Sequence, residues 1–169
     1  MRCARGILRF RLNRAIGAAF FGAGILVSGI ASADACDPNH VDLRWQGGKA
    51  RFAIELADSF DERAQGLMFR TEMGRYSGML FVYPEPASVT FWMKNTLIPL
   101  DMIFLDRTGL VTRVHENATP QSLETIPGGE GVLAVLEING GLSRRLGIVA
   151  GTQMRHAAFD QMTAVWRCK

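Results

Sequence analysis

The chain has 169 residues with 19 basic and 16 acidic side chains, a formal charge of +3. The surplus sits in the first 33 residues, which carry Arg2, Arg5, Arg9, Arg11 and Arg14 and no acid; beyond Ala33, 14 basic residues face 16 acidic ones, a net charge of −2. That excludes reading the sequence pI of about 9.0 as a nucleic-acid footprint, which needs clustered Lys and Arg; beyond residue 33 the one adjacent basic pair is Arg144-Arg145.

The arginines are followed by an apolar run from Ala15 to Ile30 and then by Ala31-Ser32-Ala33, an A-x-A pattern of small side chains. This layout predicts a secretory signal peptide over residues 1–33, cleaved near Ala33, and hence a periplasmic or secreted protein. A membrane anchor is the alternative, but the run is Gly- and Ala-rich and short against the roughly 20 residues a spanning helix needs. Lipidation of Cys36 is a further alternative. It wants the cysteine directly after the cleavage point and an apolar residue three places before it, where this chain has Ala33.

The chain beyond Ala33 is the size of one domain. Cys36 and Cys168 flank it; in an oxidising compartment such a pair predicts a disulfide, the alternative being two free thiols on frayed tails. Residues 34–49, with Asp37-Pro38-Asn39 and Gly47-Gly48, read as an opening segment with turns. From Arg51 to Leu56 apolar and polar residues alternate, which predicts a half-buried strand. Ser59-Phe60-Asp61-Glu62 has the spacing of a capping box, and Phe60, Ala64, Leu67 and Met68 come after it at helical spacing, predicting a helix over about 60–69. After a loop over 71–78, strands are predicted at 79–83 and 88–94, separated by Pro84-Glu85-Pro86. A third apolar run, 102–105, meets the turn Asp106-Arg107-Thr108-Gly109 and a partner strand at 110–115. Residues 116–130 read as a long loop, 132–138 as a strand, 142–146 as a short helix stopped by Gly147, and 152–156 as a last strand before a tail. The sum is an α+β domain with a curled, mostly antiparallel or barrel-like sheet and two short helices. Residues 50–156 form the domain and 157–169 the C-terminal tail.

Two segments, Phe91-Trp92-Met93-Lys94-Asn95-Thr96 and Ile98-Pro99-Leu100-Asp101-Met102-Ile103-Phe104-Leu105-Asp106, resemble the signature of domain-of-unknown-function family 192, a family of small, often exported proteins. Glu62 to Arg70, Gly78 to Val82, Val135 to Ile138, Gly140-Gly141 and Leu146 to Ile148 are similar to its remaining segments. The resemblance covers about residues 50–156 and implies a compact β-rich fold with short helices. It implies no activity.

Trp92, Lys94, Asn95, Thr96 and Asp101 stand where a strand end meets a turn, the place where loops present binding residues on a rigid scaffold. A flat apolar face, a point charge and amide and carboxylate groups suit a polar small molecule such as a sugar or carboxylate. The alternative is structural: Trp92 in the core, Asn95 and Asp101 fixing the backbone around Pro99. Arg63 and Arg70 are candidate binders of carboxylate or phosphate, or else a solvated helix face. Glu137 lies in an otherwise apolar strand. An Arg63 or Arg70 partner would make it structural, and a raised pKa in a cleft would make it a proton-transfer group; the structural reading is preferred. No metal motif, cofactor loop or nucleophile motif occurs, so neither metal nor cofactor is expected. The reading is an exported binding or accessory module for a polar ligand or envelope partner. The alternatives are an enzyme using Lys94 and Asp101 in acid–base roles, or an assembly factor docking through an apolar surface.

Overall fold

The computed structural model describes residues 36–168; the predicted signal peptide and its cleavage point lie outside the described residues. Seven strands form one sheet: β1 His40–Trp45, β2 Gly48–Ala57, β3 Ser77–Phe91, β4 Leu100–Asp106, β5 Val111–Ala118, β6 Ile126–Asn139 and β7 Gln153–Arg155. Two short helices, α1 Phe60–Gln65 and α2 Leu142–Leu146, complete it. The strand order is β5-β4-β6-β3-β2-β1-β7. Every neighbouring pair is antiparallel except β2 and β3. The sheet curls on itself: β7 returns to the start of β5, where the Val111 N–H donates to the Thr152 carbonyl and the Met154 N–H to that of Gly109, both at 2.8 Å. The expected curled α+β architecture is what the chain adopts.

Period-two alternation sorts side chains onto two faces. Along β6, Ala134, Leu136 and Ile138 enter one apolar cluster with Val41, Leu43, Phe52, Leu80, Ile103 and Met154; it lies inside the curl, where α2 and the tail cover it through Leu142, Phe159 and Ala164. Val135, on the opposite face, enters a second cluster with Leu67, Met79, Phe81, Met93, Met102 and Phe104. The parallel β2–β3 pair needs a crossover rather than a hairpin. Residues 58–76 supply it, and they carry α1 onto this outer face.

Several boundaries differ from expectation, each for a local reason. The opening segment contains β1, which pairs with β2 across the Gln46-Gly47 turn. The helix at 60–69 stops at Gln65 because Gly66 adopts φ +50° and caps it, its N–H donating to the Glu62 carbonyl at 2.8 Å. Phe60, placed on the apolar face by periodicity, is 78% exposed. The two strands split at Pro84–Pro86 are one strand, β3: its ladder with β6 skips from Val82↔Ala134 to Ala87↔Val132, so the prolines sit in a bulge where no N–H is required. The loop at 116–130 is shorter, since β5 runs to Ala118 and β6 begins at Ile126. Gly128 must be glycine: a Cβ there would stand 2.6 Å from the Phe104 ring. The tail is packed, with Phe159 and Ala164 buried. Its Cys168 is bonded to Cys36, the Cα atoms 5.3 Å apart, and the His156 ring joins it to the Pro38 carbonyl at 3.0 Å.

Candidate functional site

The outer apolar face is not fully covered. A cavity of about 230 Å³ opens between α1 with its following turn, β3, the segment after β3, and β6. Its walls are Arg63, Ala64 and Gln65 of α1, Gly66 to Met68, Phe81, Tyr83, Thr90 and Phe91 of β3, Trp92, Lys94 and Thr96, and Glu137 of β6.

Local sequence sets each wall. The capping box forms as expected, Ser59 Oγ accepting from the Glu62 N–H at 3.2 Å and Glu62 accepting from the Ser59 N–H at 3.0 Å. That fixes the first turn of α1 and aims Arg63 back over β3. Arg63 Nη1 donates to the Asp58 carbonyl and, at 2.9 Å, to that of Val82, and its guanidinium stacks 5.2 Å from the Tyr83 ring centroid. Nε and Nη2, the edge that recognises a carboxylate side-on, have no acceptor among the described residues. The Arg51–Asp42 pair shows this mode in the same molecule, with Nε and Nη2 at 2.7 and 2.9 Å from the two carboxylate oxygens. Arg63 is thus a held guanidinium whose Nε–Nη2 edge is unpartnered among the described residues.

Phe81 and Phe91 form an edge-to-face wall, centroids 5.4 Å apart. Trp92 is 48% exposed, not core, and carries Lys94 Nζ 5.0 Å above its ring. Thr96 is buried, its hydroxyl 3.4 Å from the Lys94 carbonyl. Glu137, 4% exposed, accepts no hydrogen bond among the described residues. Burial pushes its carboxyl up to about 8, and burial raises the Tyr83 phenol as well. The expected structural partners of Glu137 are engaged elsewhere, Arg63 by backbone carbonyls and Arg70 by Glu55.

Left-handed backbone gathers beside the cavity. Phe69, Asn95 and Gln121 have φ of +64°, +57° and +61°, a conformation that is rare for non-glycine residues and an outlier for a bulky one such as phenylalanine. They are held together: the Phe69 N–H donates to the Asn95 carbonyl at 2.8 Å and the Gln121 N–H to that of Thr96 at 3.0 Å. Strain of this kind persists only where the surroundings enforce it, and it concentrates at ligand sites.

Of the residues singled out from sequence, Trp92, Lys94, Thr96 and Arg63 meet at the cavity. Asn95 shapes its rim through its backbone, with its amide 3.8 Å from Met68 Sδ. Arg70 pairs with Glu55 beyond it. Asp101 does not line the cavity. It is fully buried, and its carboxylate accepts from the N–H groups of Asn117, Gly141 and Ser143 at 2.7 Å and from Ser143 Oγ at 2.6 Å. Lys94 and Asp101 therefore do not face each other across a cleft. Sequence reasoning missed Tyr83, which the Pro84–Pro86 bulge hides, and set Glu137 aside as structural. Among the described residues, no three His, Cys, Asp or Glu side chains group as metal ligands do, and no helix is long and apolar enough to cross a membrane.

Residues 42–156 match the model of the DUF192 family, described as Uncharacterized ACR, COG1430. A crystal structure from Sinorhizobium meliloti 1021, of a protein called a "putative transcription regulator", is similar at 39% identity and a TM-score of 0.70, covering 74% of this chain and 98% of that one. A crystal structure of a protein of unknown function from Novosphingobium aromaticivorans DSM 12444 is similar at 43% identity and a TM-score of 0.67, covering 73% and 93%. No curated protein matches the chain.

Proposed function

The chain belongs to the DUF192 family, and from that premise we propose that it is an exported binding module holding a small polar ligand, anionic at one end, in the cavity between α1 and the outer face of the sheet. The observation that carries the reading is Arg63: one nitrogen is committed to two carbonyls and the ring of Tyr83 lies against it, yet its carboxylate-binding edge has no acceptor among the described residues. A guanidinium held in advance loses little freedom on binding. Lys94 on Trp92 adds a second cation, and the aromatic walls offer flat faces to a sugar ring or carbon chain. At about 230 Å³ the cavity suits a ligand below drug size.

Export is supported by the arginine-rich start, the Ala31-Ser32-Ala33 pattern and the Cys36–Cys168 pair. The name of the Sinorhizobium relative suggests a role at nucleic acid. The charge of −2 beyond Ala33 and the lack of a basic cluster argue against that here. A second reading, docking on an envelope partner, is favoured by the exposed apolar side chains of Phe69, Leu97 and Leu123 on segments adjoining the cavity.

The test is a thermal-shift screen of sugar acids, short carboxylates and neutral sugars. A ligand at a hundred times its Kd adds about 2.7 kcal/mol to stability, so a binder raises Tm by several degrees. Arg63→Gln, checked for folding by circular dichroism, cancels the shift, and Trp92→Ala reduces it. No shift from any acid would overturn the proposal.

A further inference from the structure

Glu137 lines the cavity, and holding an anion on Arg63 does not use it. Its side chain leaves β6 on the outer face, as that of Val135 does, and the little of it that is exposed opens on the cavity. Among the described residues it has no hydrogen-bond or ion-pair partner, although Arg63 and Lys94 line the same cavity. The sheet sets Glu137 and Arg63 apart. Glu137 lies opposite Met79 in the β3–β6 ladder, and the carbonyl that holds Arg63 belongs to Val82, three residues further along β3. At about 3.3 Å per residue, that is about 10 Å along the strands. Phe81 lies between them on the outer face, with the Phe91 ring against it, so aromatic rings floor the interval. The cavity therefore runs from the guanidinium edge, over apolar rings, to a buried carboxyl, and neither end has a partner among the described residues.

We infer that the cavity takes an ω-amino carboxylate: its carboxylate on Arg63, its carbon chain over Phe81 and Phe91, and its ammonium on Glu137. The inference rests on the reading of Arg63 as the anion anchor. A carboxylate taken out of water needs an opposite charge beside it, and no cation among the described residues pairs with Glu137. An ammonium carried in by the ligand supplies that charge, and at ion-pair distance it favours the ionised carboxyl. A methyl end leaves the carboxyl as it was. The spacing of the two groups also selects. An α-amino acid carries its charges two bonds apart, about 2.5 Å, and cannot meet both ends at once. An extended chain of six bonds spans about 7 Å and, with a charge-assisted contact of about 2.8 Å at each end, covers the interval.

The experiment is titration calorimetry of the purified protein with 6-aminohexanoate, hexanoate, 2-aminohexanoate and hexylamine. The four share a six-carbon chain and carry, in turn, a charge at each end, the carboxylate alone, both charges at one end, and the ammonium alone. At pH 8 the Glu137 carboxyl, pushed up to about 8 by burial, is within reach of ionisation, and an aliphatic amine titrating near about 10.4 keeps its proton. 6-Aminohexanoate binds at least about tenfold more tightly than each of the other three. Glu137→Gln, uncharged and of the same shape, removes its advantage over hexanoate. The wild-type series decides the matter even if that variant folds poorly. Hexanoate or 2-aminohexanoate binding as tightly as 6-aminohexanoate overturns this inference and leaves Arg63 as the anion anchor. Hexylamine binding as tightly as 6-aminohexanoate, or no binding by any of the four, overturns the anchor and the inference together.

Discussion

A buried carboxyl is costly when ionised, and Glu137, which has no hydrogen-bond or ion-pair partner among the described residues, therefore links stability to pH. Its folded pKa, about 8, lies above the ordinary 4.5. The folded state binds the proton more tightly than the unfolded state, so stability is full below about pH 4.5, falls between there and about pH 8, and is level above. The drop is at most on the order of 5 kcal/mol. Asp42, Asp37 and Glu62 act in the opposite sense and only in acid, because hydrogen bonds from Arg51, from the Asn39 amide and from Ser59 respectively hold them below the usual range. Glu137→Gln should therefore match the wild type in urea melts at pH 4 and be more stable at pH 8; a difference that does not change with pH would contradict this. At this scale the sequence marked the anomaly, an acid in an apolar strand. It did not show whether an arginine answered it, because that depends on where the β2–β3 crossover sets down Arg63.

Asp101 shows how one side chain organises an element. α2 starts at Gly141 with no side-chain cap of its own. The Asp101 carboxylate, reaching from β4, takes the Gly141 and Ser143 amides instead, satisfying donors that every helix start leaves open. It also fixes Asn117 at the end of β5, so three elements meet on one charge. Asp101→Asn keeps the shape but loses charge-assisted acceptors, and should cost about 3 kcal/mol in denaturant melts, with little direct effect on ligand binding in the protein that remains folded. A larger loss of affinity than of stability would put Asp101 back among the ligand-binding residues. The β4–β5 hairpin, both helices and the alternation in β2 were legible because local chemistry sets them. The continuity of β3 was not: Pro84 and Pro86 are strand breakers by rule, and only the pairing with β6 reveals the bulge that absorbs them.

At the scale of the molecule the disulfide ties the ends of the domain across a sequence separation of 132. In the chain-entropy model closing so long a loop contributes on the order of 4–5 kcal/mol, usually less in practice. It acts together with Phe159 in the core and with the bond from His156 to Pro38. Thiol counting on unreduced protein should find Cys36 and Cys168 unreactive, and reduction should lower Tm by several degrees. Two free thiols for this pair would contradict it. The curled antiparallel sheet could be read from short strands and turns. Its one parallel pair could not, since residues 58–76 carry no sign of which side of β2 the chain returns to. That single choice of topology brings Arg63, Tyr83 and Glu137 together.

If this cavity, and no other surface, holds a small anionic ligand, amide chemical-shift mapping on isotope-labelled protein titrated with gluconate tests it most directly. The expected result is saturable shifts confined to residues 63–68, 81–83, 90–96 and the neighbourhood of Glu137, lost in Arg63→Gln. Shifts centred elsewhere, or none at millimolar gluconate below pH 8, would contradict it.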